Sequence, residues 1–256
     1  MKTLAIVGGA GRMGQALAEG LLATGRFSLG ALVDEHEPRE LFGSRWVTSL
    51  EDLEANGIDA VVDFSSPEGV SHSAQWCAEH SVPLVVGATG LGTDERRRLE
   101  DAAARVGVVV ASNFSVGAVL AERFAAMAAP YFDRVEIIEL HHDKKVDAPS
   151  GTSITTARAI AGARRAAGAD SLVEPTSRFT IDGARGARAE DGVVIHSVRL
   201  PGLVAHQEVL FGSPGEGLTI RHDSFDRQSF VHGVALALDT VSRTPGLIDG
   251  ISGLLA

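Results

Sequence analysis

Short apolar runs separated by stretches of helical period fill the first third of the chain. Leu4 to Val7, Leu29 to Val33, Ala60 to Phe64, Pro83 to Gly87 and Val108 to Ala111 are dominated by apolar residues, with helical patterning at Arg12 to Thr24, Pro67 to His80 and Thr93 to Val106. Strands that lack polar alternation are buried on both faces, and the intervening helices supply the cover. The pattern predicts a doubly wound, Rossmann-like parallel sheet, with ligands at the carboxyl ends of its strands.

After Phe114 the pattern changes. A helix is predicted from Val116 to Phe132, a half-buried strand from Arg134 to Leu140 in the alternating run RVEIIEL, and a helix from Ser150 to Ala167. Asp170 to Asp191, which includes GARGAR at Gly183 to Arg188, has little periodicity and is read as a long mobile or binding loop. Strands follow at Val193 to Leu200, Glu208 to Phe211 and Leu218 to His222, the last two joined as a hairpin through Ser213 to Gly217. Arg227 to Val241 reads as an amphipathic helix returning to the first domain. The expected fold class is therefore α/β, with residues 1–113 and 227–256 forming a dinucleotide-binding domain. Residues 114–226 form an inserted α+β domain with an open, mixed, mainly antiparallel sheet, for substrate binding and oligomerisation.

Composition narrows the function classes. At 256 residues and 45% hydrophobic, the chain can bury two ordinary cores, and no apolar run approaches the roughly 20 residues of a membrane span. MKTLAIVGGAGRMG enters a glycine-rich turn too early for a signal peptide, so a cytoplasmic protein is expected. Cys77 is the single cysteine, which excludes an internal disulfide and fits that compartment. A formal charge of −10 opposes general nucleic-acid binding. The basic run Arg96 to Arg98 lies among acids and reads as a solvated helix face.

Two segments carry chemistry. Gly8-Gly9-Ala10-Gly11-Arg12-Met13-Gly14 follows the first strand and contains G-x-G-x-x-G from Gly9, with Gly8 ending the strand. Glycines there allow a tight turn, approach of a pyrophosphate and close packing of the helix on the sheet. Asp34 ends the second strand, about twenty residues beyond Gly14, where an acid binds both ribose hydroxyls of an adenosine. Its bland alternative is a turn cap. A carboxylate there repels a 2′-phosphate and leans toward NADH, an effect that Arg12 can offset. Gly87-Ala88-Thr89-Gly90 and Ser112-Asn113-Phe114-Ser115 stand at later strand ends on the same ligand side.

The second segment is Glu139-Leu140-His141-His142-Asp143-Lys144-Lys145-Val146-Asp147-Ala148-Pro149-Ser150-Gly151-Thr152. Ser150 suits an N-cap, which places the Gly151 and Thr152 amides at the positive end of a helix dipole, where an anion binds. His141 or His142 can exchange a proton near neutral pH, and Lys145 supplies a cation or a second donor. Either histidine alone is as readily a packed residue, and the charges alone would pass for a solvated loop. The conjunction points instead to an anionic substrate that must be protonated. No metal is expected, because adjacent strand residues cannot easily share an ion and no second ligand cluster follows at the right spacing.

Over nearly its full length the chain resembles the 4-hydroxy-tetrahydrodipicolinate reductases, the dihydrodipicolinate reductase family of lysine and diaminopimelate synthesis. The resemblance rests on GGAGRMG, VVDFSSPEG at Val61 to Gly69, VVGATG at Val85 to Gly90, SNFSVG at Ser112 to Gly117, ELHHDKKVDAPSGT, and GLVAHQEVLFG at Gly202 to Gly212. It implies His141 as the main acid/base residue with Lys145 as partner donor, and His142, Ser150, Gly151 and Thr152 as substrate contacts. It places the NADH or NADPH cofactor against Gly8, Gly9, Ala10, Gly11, Arg12 and Met13, against Asp34, against Gly87, Ala88 and Thr89, and against Ala111, Ser112, Asn113 and Phe114. The family commonly has Thr where this chain has Ala88, so only backbone contacts are assured there, and Ala10 offers no charge to a 2′-phosphate. The resemblance further implies a homotetramer built through the second domain's sheets and a cyclic dicarboxylate substrate. A reductase of another cyclic imine or dicarboxylate would share the cofactor loop, whereas a non-catalytic dinucleotide sensor would have little use for His141 and Lys145.

Overall fold

The computed structural model describes residues 1–241 and 245–255. Met1–Val116 with Arg227–Ala256 make one compact unit and Gly117–Asp226 a second.

In the first unit, β1 (Lys2–Val7), α1 (Arg12–Ala23), β2 (Phe27–Val33), β3 (Arg45–Val47), β4 (Ala60–Asp63), α2 (Pro67–His80), β5 (Leu84–Val86), α3 (Thr93–Ala103) and β6 (Gly107–Val110) alternate along the chain. The sheet has seven parallel strands in the order β12-β6-β5-β4-β1-β2-β3, with β12 at Gly246–Asp249. Leu4, Ala5 and Ile6 of β1 are wholly buried, as are Val61, Val62, Leu84, Val85, Val108 and Val109, which is why these strands read as apolar runs. Edge strands β3 and β12 escaped the sequence reading. RWV is short and half exposed, and GLID mixes polar and apolar residues, so neither carries the signature of a doubly covered strand.

The strands end in step. Val7 pairs with Val33 and Asp63, Asp63 with Val86, and Val86 with Val110. Gly8, Asp34, Phe64, Gly87 and Ala111 come next in sequence, and each donates its N–H to a carbonyl of a neighbouring strand. One row across the sheet therefore launches every loop on the ligand side. Cys77 of α2 is buried in the core beneath it.

The second unit holds α4 (Val116–Ala128), β7 (Arg134–His141), α5 (Gly151–Ala166), β8 (Ala187–Arg188), β9 (Val194–Arg199), β10 (Ala205–Ser213) and β11 (Glu216–Ser224). The helix predicted to reach Phe132 stops at Ala128 and tightens into a 3₁₀ turn at Ala129–Tyr131, because Pro130 cannot continue the α-helical ladder. The sheet order is β11-β10-β7-β9-β8, with β7 and β9 parallel and the remaining pairs antiparallel. Pro214 and Gly215 alone turn β10 into β11, with Gly215 at φ 91°, so both strands are longer than the motif-rich sequence implied. Val135, Ile137, Val209, Phe211 and Ile195 pack one face of this sheet against Ala157 and Ile160 of α5.

Between α5 and β9 regular structure is sparse, as expected for 170–191. The segment is nonetheless anchored: Arg185 pairs with Glu136 and Glu174, and Arg165 with Glu190 and Asp191.

The returning helix differs from its expected amphipathic form. Arg227–Phe230 is a 3₁₀ turn, and the α-helix proper, α6 (Val231–Val241), buries residues on most of its circumference. It packs on α1, β5 and β6, which leaves little of it for solvent. Gly233 makes this possible, since a Cβ there would lie 2.0 Å from the Phe114 carbonyl oxygen. Gly233→Ala should accordingly destabilise the protein by about 2 kcal/mol through overpacking against backbone that cannot yield. Urea unfolding checks this, and an unchanged midpoint would show that α6 can shift without penalty.

Candidate active site

The first candidate site forms around the β1 and β4 ends, where the strand order reverses direction. Gly8 sits at φ 79°, and a Cβ on it would be 2.9 Å from the Phe64 oxygen. A Cβ on Gly14 would fall 2.2 Å from the Gly8 oxygen, and one on Gly9 2.8 Å from the Leu32 Cβ. These glycines are therefore fixed by backbone crowding within the protein itself. Gly11 caps α1 without any side-chain hydrogen bond, which leaves the helix start, with Arg12 exposed and Met13 half-buried, as an anion cradle.

Asp34 is tied to this turn. One carboxylate oxygen accepts from the Ala10 N–H at 3.0 Å and the other from the His36 N–H at 3.0 Å. The Trp46 indole donates to the Asp34 carbonyl at 2.9 Å, so the short edge strand β3 steadies the acid. Asp34 thus serves as a cap for the turn, while each of its carboxylate oxygens keeps a further lone pair.

Beside it opens a cavity of about 490 Å³ lined by Gly8, Gly11, Asp34, Ser65 and Ser66, and by three further acids, Glu35, Glu51 and Glu68. Those acids were not singled out from sequence; Glu35 follows Asp34 directly, whereas Glu51 and Glu68 come from a 3₁₀ turn at Leu50–Asp52 and from the first turn of α2. Beneath the serines lies Asp63, fully buried, which accepts from the Ser65 N–H at 2.8 Å, the Ser65 hydroxyl at 2.6 Å and the Ser73 hydroxyl at 2.5 Å. Burial pushes its carboxyl above the usual range, against the pull of these donors.

The later strand-end loops offer mainly backbone. A Cβ on Gly87 would lie 2.1 Å from the Phe64 ring. Ala88 is buried in the core, Thr89 is exposed, and Gly90 turns at φ 79°. Ala111 and Phe114 are also core residues, while Ser112 is exposed and the Asn113 side-chain oxygen Oδ1 accepts from the Ser115 N–H at 2.9 Å. Because the Ala88 side chain points into the core, a hydroxyl at that position would have faced apolar neighbours.

In the second unit the polar segment leaves β7 as a loop and enters α5. His141 ends the strand half-buried, and His142 beside it is exposed, in line with the opposite sides expected of neighbours on an extended chain. The His141 Nδ1 meets Glu139, a carboxylate with no solvent exposure. Arg199 grips the same carboxylate with a fork, at 3.0 Å and 2.8 Å, and reaches the Asp147 carbonyl at 2.8 Å. Lys145 chelates the Asp147 carboxylate, both contacts at 2.8 Å.

Ser150 caps α5, its hydroxyl accepting from the Ser153 N–H at 3.2 Å. The Ser153 hydroxyl in turn donates to the Gln207 side-chain oxygen Oε1 at 2.8 Å, and the Gln207 side-chain Nε2 donates to the Thr156 hydroxyl at 3.0 Å. The start of α5 is thereby bolted to β10. A Cβ on Gly151 would meet open space, and Gly151 and Thr152 lie in the first turn of α5 at the positive end of the helix dipole.

Two opposed influences set the charge of this cluster. Burial alone would raise the Glu139 carboxyl, but hydrogen bonds from Arg199, Ser197 and His141 bring it below its ordinary value, so it is ionised. Burial lowers the His141 imidazole, Glu139 raises it by hydrogen bond and charge, and Lys145 and Arg199 lower it, with a net downward shift. Glu139, Arg199, Ser197 and Gln207 were missed in sequence. The available signal was a break in phase: Glu139 and Gln207 occupy positions where the alternation of β7 and β10 calls for apolar residues, as at Val135, Ile137, Val209 and Phe211.

Family models described as the N-terminus and the C-terminus of dihydrodipicolinate reductase match residues 2–114 and 117–254. The 4-hydroxy-tetrahydrodipicolinate reductase of Cutibacterium acnes is 45% identical, the alignment covering 100% of this chain and 99% of that one. That of Nocardia farcinica is 46% identical over 98% of this chain and 97% of its own. Among solved structures, dipicolinate-bound dihydrodipicolinate reductase from Paenisporosarcina sp. TG-14 superposes with a TM-score of 0.88 at 38% identity, covering 100% of both chains.

Glu139 generates a pH-dependent stability. Its folded pKa lies below the unfolded glutamate value of about 4.3, so its contribution is complete above that value and is lost as pH falls through the folded one. Glu139→Gln, which strands the Arg199 charge, should cost about 3 kcal/mol at pH 7. The gap from wild type should close as pH falls below 4, as measured by urea unfolding. A gap independent of pH would mean that Glu139 contributes by packing alone.

Proposed function

We propose, since the chain belongs to the dihydrodipicolinate reductase family, that it reduces 4-hydroxy-tetrahydrodipicolinate to tetrahydrodipicolinate with NADH or NADPH, in lysine and diaminopimelate synthesis. The observation that carries this reading is the loop from Glu139 to Thr152. It brings a proton-exchanging His141, the Lys145 cation and the Ser150-capped start of α5, at Gly151 and Thr152, onto one strand-to-helix turn.

The residues of the first unit fit a nicotinamide dinucleotide. The glycine turn cannot hold a Cβ, the start of α1 has no side-chain cap, and Asp34 carries spare lone pairs beside a cavity of suitable size. Gly8 to Met13 would hold the pyrophosphate and Asp34 the adenosine ribose, with backbone of Gly87 to Thr89 and Ala111 to Phe114 toward the nicotinamide. When bound, the reduced cofactor supplies the hydride that adds to a ring carbon of the conjugated imine left by loss of water from the substrate.

This chain's own residues then have three tasks. The Gly151 and Thr152 amides, with Lys145, bind a substrate carboxylate, for which the carboxylate of Asp147 is the occupant to be displaced from Lys145. Hydride addition leaves an electron-rich enamine, and His141 delivers the proton that completes the reduction. A dianionic substrate beside His141 opposes the downward pull of burial and favours the imidazolium needed for that step. Overall, one hydride and one proton enter the substrate and one water leaves.

The half-buried Ile138, Leu140, Val198 and Leu210 lie on the sheet face opposite α5, by alternation with the core residues. We assign that face to a homotetramer, with light scattering as its test. No described helix is long and apolar enough to cross a membrane.

The decisive assay generates substrate in place from aspartate semialdehyde and pyruvate and follows nicotinamide oxidation. His141→Gln should lower kcat by about 100-fold or more with a smaller change in KM, because the proton is needed mainly in the transition state. Lys145→Ala should impair kcat and KM together. Turnover by His141→Gln near wild type contradicts the assignment.

Four acids around the adenosine cavity lean the enzyme toward NADH. Asp34→Ala should shift the ratio of kcat/KM values toward NADPH, since it removes bonds to ribose hydroxyls and a repulsion on the 2′-phosphate together. An unchanged ratio would mean that Asp34 serves only as a cap for Ala10 and His36.

A further inference from the structure

Three places outside the assigned roles carry unusual chemistry. Arg164 is buried at the carboxyl end of α5, near a cavity of about 780 Å³, but its guanidinium is occupied by the carbonyls of Ala129, Phe132 and Asp170 and so acts as a helix-end clasp. Asp63 is buried beneath the cofactor cavity, but its donors are Ser65 and Ser73, which makes it an anchor for that loop. The third is Glu139, and it reaches the reacting side chain.

A wholly buried carboxylate is costly, and the same face of β7 carries Val135 and Ile137. Position 139 breaks that apolar series one step behind His141, and on a strand residues two apart share a face. The surrounding register completes the arrangement. In the parallel β7–β9 pair, Glu139 lies opposite Ser197 and His141 opposite Arg199. Arg199 therefore approaches Glu139 from the adjacent strand and places both terminal nitrogens on its two oxygens, while its buried Nε has no hydrogen-bond partner. One Glu139 oxygen, Oε2, is shared between Arg199 and the His141 Nδ1. The carboxylate is thus immobilised before it meets the imidazole. Its acceptor-only character requires Nδ1 to carry a proton, and Nε2 meets no partner among the described residues.

We propose that Glu139, clamped by Arg199, is the positioning residue that presents His141 to substrate with Nδ1 protonated and Nε2 open as the proton-transferring atom. The proposal rests on the reduction assigned above, in which His141 is the proton donor. Arg199 has a second part in it: by also holding the Asp147 carbonyl, it joins the strand end that carries His141 to the loop that carries Lys145. The logic is that of a carboxylate orienting a catalytic imidazole in a triad, transferred to a reductase.

The charged groups that face the ring are Glu139 on its own strand, Arg199 on β9 and Lys145 in the loop; β10 presents Ala205 there, and the first turn of α5 has no acid. Of these only Glu139 favours the imidazolium, so its removal moves the titration of His141 to lower pH. In Glu139→Gln the Arg199 fork retains the amide oxygen, which turns the amide NH₂ toward Nδ1 and forces the opposite tautomer.

Nitrogen-15 NMR of histidine-labelled protein reads this directly, with the His141 signal identified by its loss in His141→Gln. In the wild type without ligands, the neutral ring of His141 should be protonated at Nδ1. In Glu139→Gln it should be protonated at Nε2 and titrate at lower pH. The fall of kcat with rising pH should move to lower pH in step, kcat at pH 7 should drop by about 100-fold or more, and KM should change by much less. Glu139→Asp, which keeps the charge, should restore much of the wild-type profile.

A wild-type neutral ring protonated at Nε2 overturns the proposal without reference to any variant. So does a Glu139→Gln protein that loses activity with an unshifted pH profile, since a merely structural role predicts that result. Failure of the reaction assignment would show separately, as wild-type protein that does not turn over the substrate while the tautomer measurement still stands.

Discussion

Excluding water from the Glu139 carboxylate creates a demand that few groups can satisfy, and the end of β7 is built around meeting it. Arg199 must approach from the parallel neighbour, Ser197 must lie directly opposite, and the imidazole of His141 must turn its Nδ1 inward. With those positions fixed, the loop that follows is constrained as well, because Arg199 also holds the Asp147 carbonyl and Lys145 closes on the Asp147 carboxylate. A hydrophobic residue at position 139 would pack against its neighbours with less difficulty. The carboxylate gives up that ease for a fixed geometry around one imidazole.

Backbone crowding plays the corresponding part in the first unit. Gly8, Gly9 and Gly14 are pressed against Phe64, Leu32 and each other so closely that no side chain fits, and the strand ends in register deliver the loops to one edge. Asp34 is then joined to the turn through the Ala10 amide, so the acid and the helix start move as one piece. Precision here comes from sterics and main-chain hydrogen bonds, whereas in the second unit it comes from a desolvated charge pair.

What could be read from sequence follows from this contrast. The doubly covered strands β1, β2, β4, β5 and β6 announced themselves because burial on both faces leaves an uninterrupted apolar run, and the glycine turn because its spacing is dictated by local geometry. The segment from Glu139 to Thr152 was conspicuous because its residues are contiguous. Glu139 lay in that same segment, yet its partner Arg199 is sixty residues away and only strand pairing brings them together. In the acid lining of the cavity, Glu51 and Glu68 were hidden because only the folded chain brings them beside Asp34 and Glu35. β3 and β12 were invisible because an edge strand with exposed positions has no distinctive period. Pro130 ended α4 early in a place where the apolar pattern alone ran on.

Binding of a cyclic dicarboxylate against His141 by the strand-to-helix loop that ends β7 is the assignment on which the proposed reaction depends. Its most direct test is a titration of dipicolinate, a planar dicarboxylate, into protein carrying nitrogen-15 histidine. The expected result is a saturable shift of the His141 signal toward the imidazolium, with the buried His206 unaffected and with binding weakened in Lys145→Ala. Saturable binding that leaves the His141 signal unmoved, or no binding at all, would contradict it.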